Sequence, residues 1–253
     1  MVIIKTNKEI DKIKKSCQLT AHTLQYIAGK IKPGIKTIEI DKMAESFIIK
    51  HGGKPSFKGY GTEGSEFPSS VCISINDEIV HGIPGERILQ EGDIVSLDVG
   101  TYLDGYYGDS AVTVGIGTIS QIAKKLIETT KECLAEGIRK AISGNFIGDI
   151  GNAIQTVAEK NNFSVVREFV GHGVGLKVHE DPQIPNYGRP KTGLRLEKGM
   201  VIAIEPMVNQ GDYQTISDND GWTVKTADGS LSAHFEHTIA IHEKGNEILT
   251  LFN

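Results

Sequence analysis

The stretch Ile94-Val-Ser-Leu-Asp98-Val-Gly-Thr-Tyr-Leu-Asp104-Gly-Tyr-Tyr-Gly-Asp109-Ser-Ala-Val-Thr-Val114 decides how this chain is read. Its two arms are rich in β-branched and aromatic residues, and Leu103-Asp104-Gly105 between them is a turn signal. Ile94 to Thr101 and Tyr106 to Val114 are therefore expected to form an antiparallel hairpin. A turn centred on 103/104 or on 104/105 sends Asp98 and Asp109 to the same sheet face, directly opposite or one diagonal apart. Two carboxylates so close repel, or one keeps a proton, unless a cation lies between them. An exposed hairpin carrying two solvated acids is the alternative.

Two more acids interrupt strand-like runs. Glu205 lies within Met200-Val-Ile-Ala-Ile-Glu-Pro-Met-Val, and Glu236 within Ala233-His-Phe-Glu-His-Thr-Ile-Ala-Ile. Edge-strand exposure, or a nearby base, would explain either one separately. Between the pairs, His172 stands in Val170-Gly-His-Gly-Val-Gly, whose glycines allow close approach of backbone and ring; a hydrogen-bonded loop histidine is its plainer interpretation. Taken together, four ionised carboxylates beside apolar runs need compensation, and an imidazole adds no negative charge. Two divalent cations balance the four, which favours a dinuclear centre with bridging carboxylates and metals about 3.5 to 4 Å apart. A donor set rich in carboxylate and free of thiolate suits Mn, Fe, Co or Zn.

The bulk properties narrow the class. The chain has 253 residues, 39% of them hydrophobic, enough for one large core. A formal charge of −5 lacks the basic surplus that phosphate backbones require, so no direct nucleic-acid role is expected. Met1 to Glu9 has no signal-peptide character and no segment approaches about 20 apolar residues, so a cytoplasmic protein with no membrane role is expected. The three cysteines, Cys17, Cys72 and Cys133, lack C-x-x-C spacing, which fits a reducing compartment; Cys17 and Cys133 read as small core hydrophobes.

Along the chain, Thr6 and Glu9 form a T-x-x-E capping box that opens a helix running to Lys32, before Pro33-Gly34. A second helix spans Thr37 to His51. Lys54 to Pro68 is a long loop of Gly, Ser, Pro and aromatics, followed by strands at Val71 to Ile75 and Glu78 to His81 and then by the hairpin. The second half repeats the order: helices from Thr118 to Ser143 and Gly148 to Asn161, then strands beginning near Val165, Met200, Trp222 and Ala233. Two α+β halves, about 1–117 and 118–253, are expected to share one mixed, largely antiparallel sheet as a single catalytic domain. Gly171, Gly173 and Gly175 do not make a dinucleotide loop, because Lys177 to Pro185 has two prolines and no helical period behind them.

Nine stretches together resemble the type I methionine aminopeptidases of the short bacterial form, over essentially the whole chain. They are Val71 to Asn76, Val80-His-Gly-Ile-Pro84, Gly92 to Asp98, Gly105-Tyr-Tyr-Gly-Asp109, Gly171-His-Gly-Val-Gly175, Val178-His-Glu-Asp-Pro182, Ile204-Glu-Pro206, Asp220-Gly-Trp-Thr-Val224 and Phe235-Glu-His-Thr238. The resemblance implies the duplicated "pita-bread" (creatinase/aminopeptidase) fold and removal of the initiator methionine from nascent proteins with a small second residue. It makes Asp98 a ligand of one metal, Asp109 and Glu236 bridges, and His172 and Glu205 ligands of the other. It gives Glu205 the proton-transfer role, and it places His81 and His179 against the substrate. By position, the methionine pocket falls to Phe57, Tyr60, Phe67, Cys72, Val178 and Trp222, a set of aromatic and soft groups suited to a thioether.

The family also implies a monomer acting on nascent chain N-termini near the ribosome. One departure stands out: Gly61 to Glu66 makes the loop between Tyr60 and Phe67 about four residues longer than the usual pattern. Prolidases and Xaa-Pro aminopeptidases share the fold and ligands but carry an additional N-terminal domain, for which a first helix at residue 6 leaves no room. Type II methionine aminopeptidases carry a long insertion before the last ligand, whereas 30 residues separate Glu205 from Glu236 here. Relatives that serve as binding modules have lost ligands, and this chain retains all five. His22, His51, His234, His237 and His242 are expected to be structural or surface residues.

Overall fold

The computed structural model describes residues 2–251. Thr6 caps α1 (Asn7–Ala28) reciprocally: its hydroxyl accepts from the Glu9 amide, and the Glu9 carboxylate accepts from the Thr6 amide. The helix ends one turn before the expected Lys32, where the Lys30 and Ile31 amides both bond to the Ile27 carbonyl in a tightened turn. Next come α2 (Thr37–Lys50) and, in the second half, α3 (Gln121–Lys140) and α4 (Ile147–Lys160). Ser120 caps α3 by accepting from the Ala123 amide, so that helix starts later than Thr118.

The strands that carry the site are β1 (Cys72–Ile75), β2 (Glu78–Val80), β3 (Ile94–Leu103), β4 (Tyr106–Gly115), β5 (Gly171–Gly173), β6 (Glu180–Ile184), β7 (Val201–Ile204), β8 (Ser232–His234) and β9 (Glu236–Ile241). The main sheet runs β3-β4-β9-β7-β5-β6, with β1 and Lys54–Pro55 also on β3 and Asn246–Ile248 on β9. Its ladders are antiparallel. β4 meets β9 through Ala111 opposite Glu236 and Ser110 opposite His237, so strands from both halves of the sequence form one continuous sheet. Helix faces cover it in the same way in each half: Leu24, Ile27, Ile40 and Ile48 pack on Val95, Leu97 and Val99, while Leu126, Ile150 and Ile154 pack on Ile202, Ile204 and Ile239. Cys133 lies in the second of these cores, where burial pushes its thiol up to about 12, and Cys17 in a smaller buried cluster with Ile10, Ile13 and Val201.

The hairpin turn is Asp104-Gly105, with φ of 51° and 91°, the two-residue turn that needs positive φ at both centres. It fixes Asp98 opposite Ala111 and Asp109 opposite Gly100, the diagonal arrangement of the two anticipated from sequence. The long loop after α2 contains its own small hairpin, Gly61–Thr62 with Ser65–Glu66, so the added residues are folded. A Cβ on Gly61 would lie 3.1 Å from Trp222 Cζ2, which shows how closely this hairpin rests on the tryptophan.

Before α1, Lys5 reaches across the chain to Glu180 at the start of β6, with both side chains nearly inaccessible at 1% and 2%. Glu180 also accepts from the amides of Leu176 and Lys177, gathering the loop that links β5 to His179. Breaking a buried ion pair on one side strands the other charge, at a cost of about 3–5 kcal/mol. Glu180→Leu is therefore expected to lower unfolding free energy in urea by about that amount, and a Lys5→Met/Glu180→Leu double variant to recover most of it. Equal losses in the two variants would count against this account.

Candidate active site

Three adjacent strands bring the acids together. Asp98 on β3 and Glu236 on β9 flank Ala111 of β4 in one row across the sheet, and Asp109 lies two residues along β4 on the same face. Alanine at the centre of the row keeps the space between the acids open. Ile204 pairs with His237 at the end of β7, so Glu205 follows beside Glu236. β5 supplies His172 from the other side, its neighbour Gly173 pairing with Ile202. The chain thus converges five donors from four strands and one strand end.

Their chemistry is that of a cation site. Oxygen atoms of Asp98, Asp109 and Glu236 are buried with no hydrogen-bond partner among the described residues. His172 Nδ1 donates to the Gly173 carbonyl at 2.9 Å, which leaves the Nε2 lone pair facing Glu205 at 3.4 Å and Asp109 at 3.9 Å. Without a cation, burial raises Asp98 to about 7 and Glu205 to about 8, and burial followed by neighbouring acids holds Asp109 and Glu236 well above the carboxylate range. Burial lowers His172 to about 3, keeping the ring neutral and able to ligate. Two overlapping donor groups, Asp98/Asp109/Glu236 and His172/Glu205/Glu236, each have ligand atoms within 4.8 Å of one another and share Glu236. Unsatisfied carboxylate oxygens and an available imidazole lone pair fit a divalent metal.

Of the thirteen residues singled out from sequence, the five donors together with His81, His179, Phe57, Tyr60, Phe67, Cys72 and Trp222 line one cavity of about 320 Å³, whereas Val178 packs behind its wall against Phe57, Phe67 and Cys72. Beside the donors, Phe57, Phe67, Cys72 and Val178 form a buried apolar cluster with Trp222 against it, Cys72 lying directly across from Asp98 in the β1–β3 ladder. Phe57 depends on Gly100, where a Cβ would meet its ring at 2.6 Å. His81 has φ of 61°, backbone strain of the kind that persists where the surroundings over-determine a residue. Burial of Cys72 pushes its thiol well above 9, so it serves as a soft wall and not as a nucleophile.

His179 Nδ1 is 2.8 Å from the Tyr60 hydroxyl, and its ring lies edge-on to His172 at 4.3 Å. With the hydroxyl donating, the ring proton is held on Nε2, as a donor toward the cavity. Tyr60→Phe is expected to lower kcat about tenfold, the worth of one hydrogen bond, while KM moves much less. A silent substitution in steady-state kinetics would reduce Tyr60 to a pocket wall.

Val80, Phe169 and Val170 also line the cavity and were not singled out from sequence. His234 is the more consequential correction: it is 2% exposed, its Nε2 is 3.6 Å from Glu205 Oε2, and it makes no hydrogen bond through that nitrogen among the described residues. The signal was present, since residues 234 and 236 share a face by strand parity. His237 points the other way, to the Thr250 hydroxyl at 2.8 Å, as its parity requires.

A family model for metallopeptidase family M24 matches residues 11–243. The chain belongs to metallopeptidase family M24. Within it, similarity is full-length to bacterial methionine aminopeptidases. The Clostridium perfringens methionine aminopeptidase is 54% identical, with 99% of each chain covered, and methionine aminopeptidase 1 of Bacillus subtilis is 52% identical at the same coverage. A crystal structure of the Rickettsia prowazekii methionine aminopeptidase superposes with a TM-score of 0.96 at 44% identity, covering 99% of this chain and all of that one. The M24 chain thus has the pita-bread architecture that its motifs imply.

Proposed function

We propose that Asp98, Asp109, His172, Glu205 and Glu236 hold two divalent cations, of Co, Mn, Fe or Zn, at the floor of the cavity. The observation that carries this is the pair of donor groups joined at Glu236, with buried carboxylate oxygens that no described residue satisfies. The chain is a methionine aminopeptidase, a hydrolase that releases N-terminal methionine. When bound, the cations would polarise the scissile carbonyl and lower the pKa of a water nucleophile.

The chain's own residues supply the rest. Glu205, between His172 and His234, accepts a proton from the attacking water and passes it to the leaving amine. His179 donates to the carbonyl oxygen as negative charge develops there, and His81 contacts the scissile amide. The apolar wall beside the donors takes the methionine side chain through Phe57, Tyr60, Phe67, Cys72 and Trp222, with Val178 packed into the same cluster. A bulky second residue clashes beside His179, which restricts substrates to those with a small one. The setting is the cytoplasm, on nascent chains near the ribosome and as a monomer; no helix among the described residues is long and apolar enough to cross a membrane.

Metal-reconstituted protein incubated with Met-Ala, Met-Lys and Ala-Pro peptides is expected to release methionine from Met-Ala alone, read by mass spectrometry. Cleavage of Ala-Pro alone would instead indicate a proline-specific peptidase, and equal cleavage of Met-Lys would remove the small-residue rule.

A further inference from the structure

The net charge of −5 conceals a strong asymmetry. Residues 1–58 carry twelve lysines against five acids, while the rest of the chain carries fifteen bases against twenty-seven acids. Four of those five early acids are already engaged. Asp41 is buried against the amides of Ser70 and Val71, Glu9 and Glu39 serve the caps of α1 and α2, and Glu45 pairs with Lys58. Asp11 alone is uncommitted among the described residues. By contrast, Lys8, Lys12, Lys15, Lys30, Lys32, Lys42, Lys50 and Lys54 are exposed and make no ion pair among the described residues.

These cations are ordered along a line. At 3.6 residues per turn, Lys8, Lys12, Lys15, His22 and Tyr26 fall within about 40° of a single stripe on α1, roughly 27 Å long. All five are exposed. Tyr26 stacks on Phe47 of α2 at 4.8 Å, Phe47 lies 4.1 Å from His51, and Lys30 Nζ lies 5.9 Å from the Tyr26 ring centre. A groove here is lined by Tyr26 of α1 together with Lys42, Met43, Phe47, Lys50 and His51 on and just after α2. Aromatic rings set in a row of unpaired cations are what single-stranded nucleic acid requires, charge for phosphates and a π-face for a base. A lipid surface requires an apolar helix face to insert, and the outward stripe of α1 offers one tyrosine.

We propose that the outer face of α1 and α2 docks RNA, with the lysine row following the phosphates and Tyr26 taking an unpaired base. Neither helix contributes to the lining of the catalytic cavity, so docking leaves that cavity open. The inference is independent of the peptidase assignment.

The test is fluorescence anisotropy of a labelled, mixed-sequence 20-nucleotide single-stranded RNA with metal-loaded protein at 50 and 200 mM salt. Micromolar binding at 50 mM that weakens steeply at 200 mM is expected. A Lys12→Glu/Lys15→Glu/Lys42→Glu/Lys50→Glu variant is expected to lose at least about tenfold in affinity with kcat/KM on Met-Ala peptide unchanged. Tyr26→Ala is expected to lose about fivefold or more. The same charge change elsewhere, Lys124→Glu/Lys131→Glu/Lys160→Glu/Lys198→Glu, is expected to cost less than about twofold. Equal losses in the two quadruple variants, no binding at 50 mM salt, or binding to phosphatidylserine vesicles without binding to RNA would each overturn the proposal.

Discussion

Asp98→Ala is expected to cut turnover of Met-Ala peptide by more than about 10³-fold, equivalent to about 4 kcal/mol of barrier. It is also expected to lower bound metal from two ions per chain to one. The two effects share a cause. Asp98 belongs to the donor group with Asp109 and Glu236, whereas His172, Glu205 and Glu236 form a second group that the substitution leaves intact. Metal analysis by mass spectrometry should therefore give one retained ion, and His172→Ala should empty the opposite position. Asp98 is also one of several crowded acids whose ionisation burial opposes, so the metal-free variant should be more stable near neutral pH than the metal-free parent. Full turnover with two bound ions in the variant would remove Asp98 from the mechanism. Asp98→Asn, nearly isosteric, guards against attributing a packing defect to lost ligation.

The fold was legible where local chemistry dictates it. Thr6 and Glu9 announced the start of α1, and Asp104-Gly105 announced the hairpin whose parity placed Asp98 and Asp109 on one face. Parity alone left two registers open, and the positive φ of both turn residues selects between them. Glu205, Glu236 and His172 stood out as lone donors beside apolar runs, but their meeting with Asp98 and Asp109 is not encoded locally, because pairing between β4 and β9 or between β5 and β7 joins segments far apart in sequence. The same limit hid the Lys5–Glu180 pair, separated by 175 residues. His234 was missed likewise: parity puts it on the Glu236 face, but its neighbour Glu205 arrives from the end of β7, a contact that local sequence does not encode. Averaging concealed the lysine face of α1 and α2, since a whole-chain charge carries no information about where the charges lie.

Metal-free protein is expected to lose stability as pH rises from about 6.5 to 8.5, and divalent metal to abolish that loss. The sign follows from proton counting. Unfolded carboxylates titrate near 4, whereas in the folded chain burial first, and neighbouring acids after it, raise Asp98 to about 7, Glu205 to about 8, and Asp109 and Glu236 well above their ordinary range. Between the two values the folded state holds protons that the unfolded state has released, so stability falls as pH increases. Buried histidines act oppositely below 6.5: burial lowers His172 to about 3 and His81 and His237 to about 4, so their contribution is present above the unfolded value and is lost as pH falls. The two groups offset one another in the acid range, which leaves the window from 6.5 to about 8 to the carboxylates, with the buried thiols adding a decline of the same sign, independent of metal, toward 8.5. There, each acid still protonated in the folded state contributes a decline of about 1.4 kcal/mol per pH unit. Cations change the sign of the argument, because ligation requires the ionised carboxylates and binding releases their protons, so affinity grows over the same window. Urea unfolding at pH 6.5, 7.5 and 8.5, with chelator or with Mn²⁺, should give curves that diverge with pH. A flat metal-free curve would mean that these acids are already ionised and compensated within the protein itself, and the case for two cations would lose its energetic basis.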